Sequence, residues 1–113
     1  MEEFVRLIGV EISEGEMGGF KAGEVEVLVA NIEGNLYAIG DRCTHRRCLL
    51  SKGKLEENVV ICPCHRSRFD VKTGSVVSRP AKEPEPIFEV KREGRDILIR
   101  PKMEYGAEKS TDE

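Results

Sequence analysis

The sequence is poor in the features that mark membrane, exported or nucleic-acid-binding proteins. It lacks tryptophan and glutamine altogether, and no apolar run approaches the roughly 18 residues that a membrane-spanning helix needs. The opening decapeptide, MEEFVRLIGV, has neither the basic start nor the apolar stretch of a signal peptide. Phosphate-binding loops and nucleic-acid-binding motifs are also missing. We therefore expect a cytoplasmic protein that contacts neither membrane nor nucleic acid.

A sustained helical period is also absent, and strand patterns take its place. The segment EVEVLVANI at 24–32 alternates apolar and polar positions, and the turn EGN leads from it into LYAIG at 36–40. IFEVKR at 87–92, the turn EG and DILIR at 96–100 repeat this hairpin arrangement, while NVVI at 58–61 is a short strand candidate. These patterns predict an all-β fold built from antiparallel sheets.

The length of the chain suits one domain. With 113 residues, of which 39% are hydrophobic, it can bury a single core. We expect this domain over residues 1–101 and a flexible tail over the polar residues 102–113. Residues 49–57 have room for a turn or two of helix at most, and Gly18 and Gly19 are expected to mark a turn. The abundance of glutamate and lysine hints at a thermophilic source.

All four cysteines and both histidines lie in two hexapeptides, CTHRRC and CPCHRS. Each hexapeptide offers one cysteine and one histidine, which are soft ligands that short loops can present to a metal ion. These candidate ligands are Cys43 with His45, and Cys62 with His65. A Cys₂His₂ zinc site remains an alternative, although one intervening residue, Thr44, is tighter than the spacing of about two to four that is usual in zinc fingers.

The arrangement C-x-H, 16 residues and C-x-x-H resembles the cluster-binding motifs of Rieske iron–sulfur proteins. In weaker form the resemblance extends from Leu36 to Arg100. It implies the Rieske fold, in which antiparallel sheets form a base domain and a smaller subdomain, here about residues 40–70, binds the cluster. It further implies one two-iron, two-sulfide cluster, with one iron held by Cys43 and Cys62 and the other by His45 and His65.

The resemblance also gives a role to the remaining cysteines. In the respiratory branch of the family a disulfide joins the positions that Cys48 and Cys64 occupy here, and such a bridge would pin both loops over the cluster. Two unpaired thiols are the alternative. Oxygenase-type Rieske ferredoxins usually have tryptophan at position 64 and no bridge. We therefore expect a chain that combines respiratory-type loops with a small soluble body without the membrane anchor of that branch.

Three further features of the family bear on the cluster. Ser67 keeps the hydroxyl that donates to a bridging sulfide, although a serine here could also simply cap a turn. Phe69 stands where the family has a tyrosine, and the loss of that hydroxyl should lower the reduction potential. The segment SRPAKEPEP at 78–86 resembles the proline-rich loop that covers the cluster.

Arginines replace uncharged family residues beside the expected ligands. Arg46 and Arg47 stand in place of Leu-Gly, and Arg66 stands in place of Gly, which disfavours a quinol-oxidising role. Residues 41–68 carry seven basic side chains against three acidic ones, although the whole chain has a net charge of −3. The electric field of such an uneven charge distribution orients the encounter with an oppositely charged partner. We therefore expect these arginines to dock a redox partner that has an acidic face.

Together these features predict a soluble, monomeric ferredoxin that transfers one electron between a reductase and an oxygenase or another acceptor. We expect an electron carrier rather than an enzyme, because no acid–base constellation is evident in the sequence. A small Rieske subunit of a larger oxidoreductase, of the nitrite reductase or arsenite oxidase type, is the main alternative. A zinc-stabilised interaction module is a third function that the ligand types allow.

Overall fold

The computed structural model of the chain describes residues 4–104, which form two antiparallel sheets. The strands are β1 (Val5–Leu7), β2 (Met17–Ala22), β3 (Val25–Ile32), β4 (Asn35–Gly40), β5 (Lys54–Glu56), β6 (Val59–Ile61), β7 (Arg68–Asp70), β8 (Val76–Ser78), β9 (Ile87–Glu93) and β10 (Asp96–Glu104). Their order is β1-β10-β9-β4-β3-β2 in the larger sheet and β5-β6-β7-β8 in the smaller one. The predicted all-β fold is confirmed. Among the described residues, no helix has the length and apolar character needed to cross a membrane.

Both predicted hairpins are present, with the turn chemistry that their sequences indicate. Glu33 and Gly34 link β3 to β4 with φ values of 57° and 91°, and two positive φ values in a two-residue turn match the twist of the flanking strands. The β9–β10 hairpin turns at Gly94, which has a φ of 61°. Strand β6 matches the third predicted strand within the bounds of NVVI.

The end of the domain differs from the prediction. Strand β10 continues to Glu104, which pairs with Ile87 beyond a register irregularity that follows Arg100. Residues 102–104 therefore belong to a strand rather than to the predicted tail, because β9 offers them a partner that the polar sequence does not reveal. The rest of that tail lies outside the described residues. Between β4 and β5, only a single turn of 3₁₀ helix forms, at Leu50–Lys52.

The core is divided into two clusters that share the neighbouring strands β3 and β4. Side chains alternate between the faces of a strand, so Val27 and Val29 point into one cluster and Leu28 and Ala30 into the other. The first cluster, around Val27 and Val29, belongs to the larger sheet, which forms the base of the fold. The second cluster lies under the smaller sheet and includes Cys43, Leu50, Val60, Cys62 and Phe69. The smaller sheet ends at Ser78, beyond the boundary near residue 70 that we expected for the cluster-binding subdomain.

Gly18 and Gly19 do not form the predicted turn. They lie inside β2, where they pair with Val29 and Leu28. The structure gives Gly19 a packing role: a Cβ atom there would lie 2.6 Å from Asp41 Oδ2 and would overlap the hydroxyl of Ser51. Ser51 donates both its N–H and its hydroxyl to the buried Asp41 carboxylate, each over 2.8 Å, and this pair ties the 3₁₀ turn to the residue that follows β4.

Gly19→Ala should therefore destabilise the protein by about 1–3 kcal/mol, the usual range for overpacking. The new methyl group must displace a hydrogen-bonded pair that has little freedom to move. Gly18→Ala is the matched control, because its Cβ would meet only the tip of the Phe20 ring, at 2.9 Å, and that ring can rotate away. Urea unfolding of both variants measures the difference. Equal losses of unfolding free energy would contradict the packing role of Gly19.

Candidate metal centre

The two hexapeptides form loops with the same backbone conformation. In the first, Cys43 N–H donates to Cys48 O over 2.7 Å, and in the second Cys62 N–H donates to Ser67 O over 2.8 Å. Four residues after each leading cysteine stands an arginine whose N–H donates back to that cysteine's carbonyl, Arg47 in one loop and Arg66 in the other. We call these segments, residues 43–48 and 62–67, the ligand loops.

Both arginines adopt backbone conformations that favour glycine. The φ of Arg47 is 64° and that of Arg66 is 66°, which is the left-handed region. These are two of the three positions where the sequence departs from the family's uncharged residues. At both positions a charged residue stands where the family has an uncharged one. The fold requires there a φ that is unfavourable for any residue with a side chain.

The loops bring the predicted ligands together in like pairs. Cys43 and Cys62 are both reduced and buried, with exposed fractions of 0% and 1%, and the Cys43 thiol is within hydrogen-bonding contact of the Cys62 sulfur. The rings of His45 and His65 meet edge to face with their centroids 5.2 Å apart. His45 is partly buried and His65 is exposed. Thus the sulfur donors lie in the core and the imidazoles lie near the surface.

The surroundings of Cys43 and His45 suit metal coordination. Burial raises the pKa of the Cys43 thiol, while the backbone N–H groups of His45 and Arg46 act against this by hydrogen bonding to its sulfur. Burial and the nearby charge of Arg46 lower the pKa of His45, which favours the neutral imidazole that a metal requires. Its Nδ1 atom is buried and has no protein hydrogen-bond partner. Two thiols, two imidazoles and this unpartnered nitrogen fit a mixed Cys/His iron–sulfur cluster.

Cys48 and Cys64 form the disulfide that the family resemblance implied, with their Cα atoms 6.4 Å apart. It joins the two ligand loops directly. The sulfur of Cys62 lies within 4.8 Å of both bridged sulfurs, so three sulfur atoms form a tight group. Because two of them are bonded to each other, this group cannot bind a metal as three thiolates.

The proline-rich segment 79–86, which we call the cover segment, is hydrogen bonded to both ligand loops. Thr44 Oγ1 donates to the carbonyl of Glu83 over 2.8 Å, and the Ala81 N–H donates to the hydroxyl of Ser67 over 2.9 Å. Ser67 is fully buried, and this contact leaves its own proton available for a further acceptor. Phe69 is also fully buried, in the same cluster as the sulfurs of Cys43 and Cys62.

The structure divides the basic side chains of residues 41–68 into distinct groups. Arg42 is neutralised by Glu26, whose Oε1 lies 2.7 Å from Arg42 Nε, and the hydrogen bond from Arg42 lowers the pKa of Glu26. Arg47 acts on the same carboxylate at longer range. Four of the other five cations, all except Arg46, converge on a groove of about 400 Å³ beside the second ligand loop. This basic groove is lined by Lys52, Gly53, Lys54, Glu56, Ile61, Pro63, Arg66 and Arg68.

Glu85, in the cover segment, is a buried acid that the sequence did not indicate. It is only 1% exposed, and its Oε2 atom has no hydrogen-bond partner. Burial raises the pKa of Glu85 to about 8, although the Thr44 N–H donates a hydrogen bond to its carboxyl group and acts in the opposite direction. Glu85 thus touches the first ligand loop between its cysteine and its histidine. A glutamate between two prolines gives no periodic signal from which this burial could be predicted.

Comparisons with known proteins agree with this geometry. The family model described as the Rieske [2Fe-2S] domain matches residues 7–97. The ferredoxin component of biphenyl 2,3-dioxygenase from Rhodococcus jostii (strain RHA1) is 40% identical over 89 residues, which are 79% of this chain and 83% of that protein. The ferredoxin of carbazole 1,9a-dioxygenase from Nocardioides aromaticivorans IC177 superposes with a TM-score of 0.82 at 30% identity, over 88% of this chain and 99% of that one.

A second solved structure of similar shape is a complex of two proteins. It is described as a complex of reduced oxygenase and oxidized ferredoxin in carbazole 1,9a-dioxygenase. This chain matches it with a TM-score of 0.77 and 26% identity, over 92% of this chain and 94% of the matched chain.

Substitutions at the two residues expected to tune the cluster should shift its midpoint potential in opposite directions. Phe69→Tyr should raise the midpoint potential by about some tens of millivolts, because a buried hydroxyl beside the cysteine sulfurs stabilises the more negative, reduced state. Ser67→Ala should lower it for the same reason. Ser75→Ala, which removes a hydroxyl that pairs only with Thr73, is the control and should leave the potential unchanged. Redox titration followed by visible absorption measures all three. If neither Ser67 nor Phe69 matters, hydrogen bonding does not set the potential.

The buried carboxyl group of Glu85 predicts a pH dependence of stability. A glutamate in the unfolded chain ionises near pH 4.5, whereas Glu85 in the folded protein keeps its proton to about pH 8. Between these values the folded state holds a proton that the unfolded chain has released, so this group makes the unfolding free energy fall by about 1.4 kcal/mol per pH unit as pH rises. Glu85→Gln should remove this slope.

Urea unfolding of the oxidised protein between pH 5 and 8 measures this effect. Glu83→Gln is the matched control, because Glu83 lies in the same segment with an exposed side chain. The stability of Glu85→Gln should rise relative to both wild type and Glu83→Gln as pH increases. Parallel profiles for the three proteins would show that Glu85 is ionised in the folded state at neutral pH.

Proposed function

Because the chain belongs to the Rieske [2Fe-2S] domain family, and is a one-electron carrier of the ferredoxin type, we propose that it serves an oxygenase system. It would accept an electron from a reductase and deliver it to the oxygenase component. The observation that carries this proposal is the separation of the four donors, with buried sulfurs and imidazoles at the surface of the two ligand loops. An exposed histidine edge gives a partner close access to the redox centre.

The proposed ligands are the four donors of the ligand loops. Cys43 and Cys62 would hold the inner iron of the [2Fe-2S] cluster, and His45 and His65 would hold the outer one. When bound, the cluster supplies one-electron chemistry. The chain itself excludes water from the sulfur side through its second core cluster, fixes both loops through the Cys48–Cys64 disulfide, and supplies Ser67 as a hydroxyl donor near the sulfurs.

The relatives favour a separate carrier over the other functions that the sequence allowed. The relatives from Rhodococcus jostii and Nocardioides aromaticivorans are each described as the ferredoxin of a dioxygenase. We therefore propose a monomeric cytoplasmic ferredoxin that is not itself an enzyme. A stably bound subunit of a nitrite reductase or arsenite oxidase type of complex would instead co-elute with a larger protein. A thermophilic source stays a prediction.

We further propose that the docking surface for the redox partner lies on the side of the histidines that carries the basic groove. Arg46, Arg47 and Arg66 are all exposed, but Arg47 lies near Glu26, whereas Arg66 lies in the basic groove. The four cations of that groove face a single acidic side chain, Glu56. None of them forms an ion pair with another residue in the range 4–104. Unpaired positive charge beside the second ligand loop favours a partner with an acidic face.

The proposal predicts electron transfer that depends on these charges and on salt. The reduced protein is mixed in a stopped-flow instrument with the oxygenase component of biphenyl dioxygenase or with ferricyanide, a small trianion that needs no specific docking. We expect the double variant Lys54→Glu, Arg68→Glu to transfer electrons at least about tenfold more slowly than wild type at 0.01 M salt, where the Debye length is about 30 Å. The difference should largely vanish at about 0.5 M salt.

Arg92→Glu with Arg95→Glu provides the matched control, because it changes the charge equally at exposed positions in or beside strand β9 of the larger sheet. This control should behave as wild type with both acceptors. Equal rates for the two double variants would place the docking surface outside the basic groove. Rapid oxidation by ferricyanide without any transfer to the oxygenase would instead count against an oxygenase of this type as the partner.

A further inference from the structure

We propose that Cys62 has a second chemistry: in the protein without its cluster, the Cys62 sulfur attacks the Cys48–Cys64 disulfide and exchanges places with Cys64. The basis is the group of three sulfurs in the ligand loops. The Cys62 sulfur lies within 4.8 Å of both bridged sulfurs and is itself reduced. Within the described residues, Cys43 is the other reduced thiol, and its sulfur does not belong to this group.

The exchange balances without an external oxidant or reductant. The thiolate of Cys62, having given its proton to solvent, forms a bond to the Cys48 sulfur while the bond between Cys48 and Cys64 breaks. Cys64 leaves as a thiolate and takes up a proton from solvent. One disulfide is present before and after the step, so no electrons enter or leave the protein. This is the ordinary mechanism of thiol–disulfide exchange, made intramolecular.

The surroundings of Cys64 favour it as the leaving sulfur. Cys64 is exposed, whereas Cys48 is partly buried, and the exposed Arg66 stands two residues after Cys64. Positive charge and water stabilise a departing thiolate. Attack on Cys64 instead would close a disulfide across the single residue Pro63, whose fixed φ restricts such a small ring. The expected product therefore has a Cys48–Cys62 disulfide and an accessible Cys64 thiol.

The exchange would remove one proposed ligand from the site. While Cys62 is bound to iron, its sulfur is not available as a nucleophile. Once it is free, exchange buries it in a new disulfide and leaves three of the four proposed donors. The cluster would then protect the Cys48–Cys64 disulfide, and rebuilding the site would require a thiol that reverses the exchange.

Cysteine mapping of the full-length protein tests this inference. The cluster is removed anaerobically with a chelator and no thiol reductant, and the protein is returned to pH 8. At intervals it is denatured in N-ethylmaleimide, and the labelled cysteines are identified by mass spectrometry. At the earliest time, label should lie on Cys43 and Cys62. With time, label should be lost from Cys62 and gained in equal amount at Cys64, while Cys43 stays labelled.

Three controls make the result decisive. Holoprotein denatured directly in the alkylating agent should keep label on Cys43 and Cys62. Cys43→Ser should still transfer label from Cys62 to Cys64, because Cys43 takes no part in the exchange step, whereas Cys62→Ser should never show label on Cys64. Circular dichroism checks that each cluster-free protein stays folded, and the wild-type time course stands alone if a variant does not. Label that stays on Cys43 and Cys62 in the folded cluster-free protein, or that disappears from both through a Cys43–Cys62 disulfide, overturns the proposal.

Discussion

The structure depends on one constraint: two loops from different strands must hold two cysteine sulfurs side by side in the core while their histidines reach the surface. Each ligand loop is held by the same pair of backbone hydrogen bonds. The leading cysteine, Cys43 or Cys62, donates one through its N–H and accepts the other at its carbonyl. The disulfide, the cover segment and the smaller sheet then fix one loop against the other. Most of the fold that lies outside the base serves this alignment.

Two arginines of the ligand loops cost conformational energy. A residue with a side chain costs roughly 1–2 kcal/mol in the left-handed region, and Arg47 and Arg66 both adopt it. Such strain persists where the surrounding structure imposes it, and it concentrates at functional positions. Glycine would relieve the strain in both loops but would remove the positive charge. At Arg66 the retained positive charge lies in the basic groove and is consistent with the proposed docking role, whereas the charge of Arg47 lies near Glu26.

Local sequence patterns predicted the structural features that are determined by residues close together in the chain. The hairpins at Glu33 and Gly94 follow from alternation and turn chemistry, and motif spacing picked out the two cysteines and two histidines that the ligand loops bring together. The burial of Glu85, the close approach at Gly19 and the pairing of Arg42 with Glu26 could not be predicted in this way. Each arises from contact between segments far apart in the chain. For the same reason, a basic sequence around the ligands did not show on which side its charge accumulates.

Strand β3 is covered on both faces, by the base on one side and by the ligand-bearing unit on the other. If the smaller sheet separated from the base, Leu28 and Ile39 would be exposed to water, so such a separation carries a hydrophobic penalty. The two units should consequently exchange their amide hydrogens with solvent as one cooperative block. A mutation in the larger sheet that weakens its packing should therefore also destabilise the ligand loops, although it lies far from the cysteines.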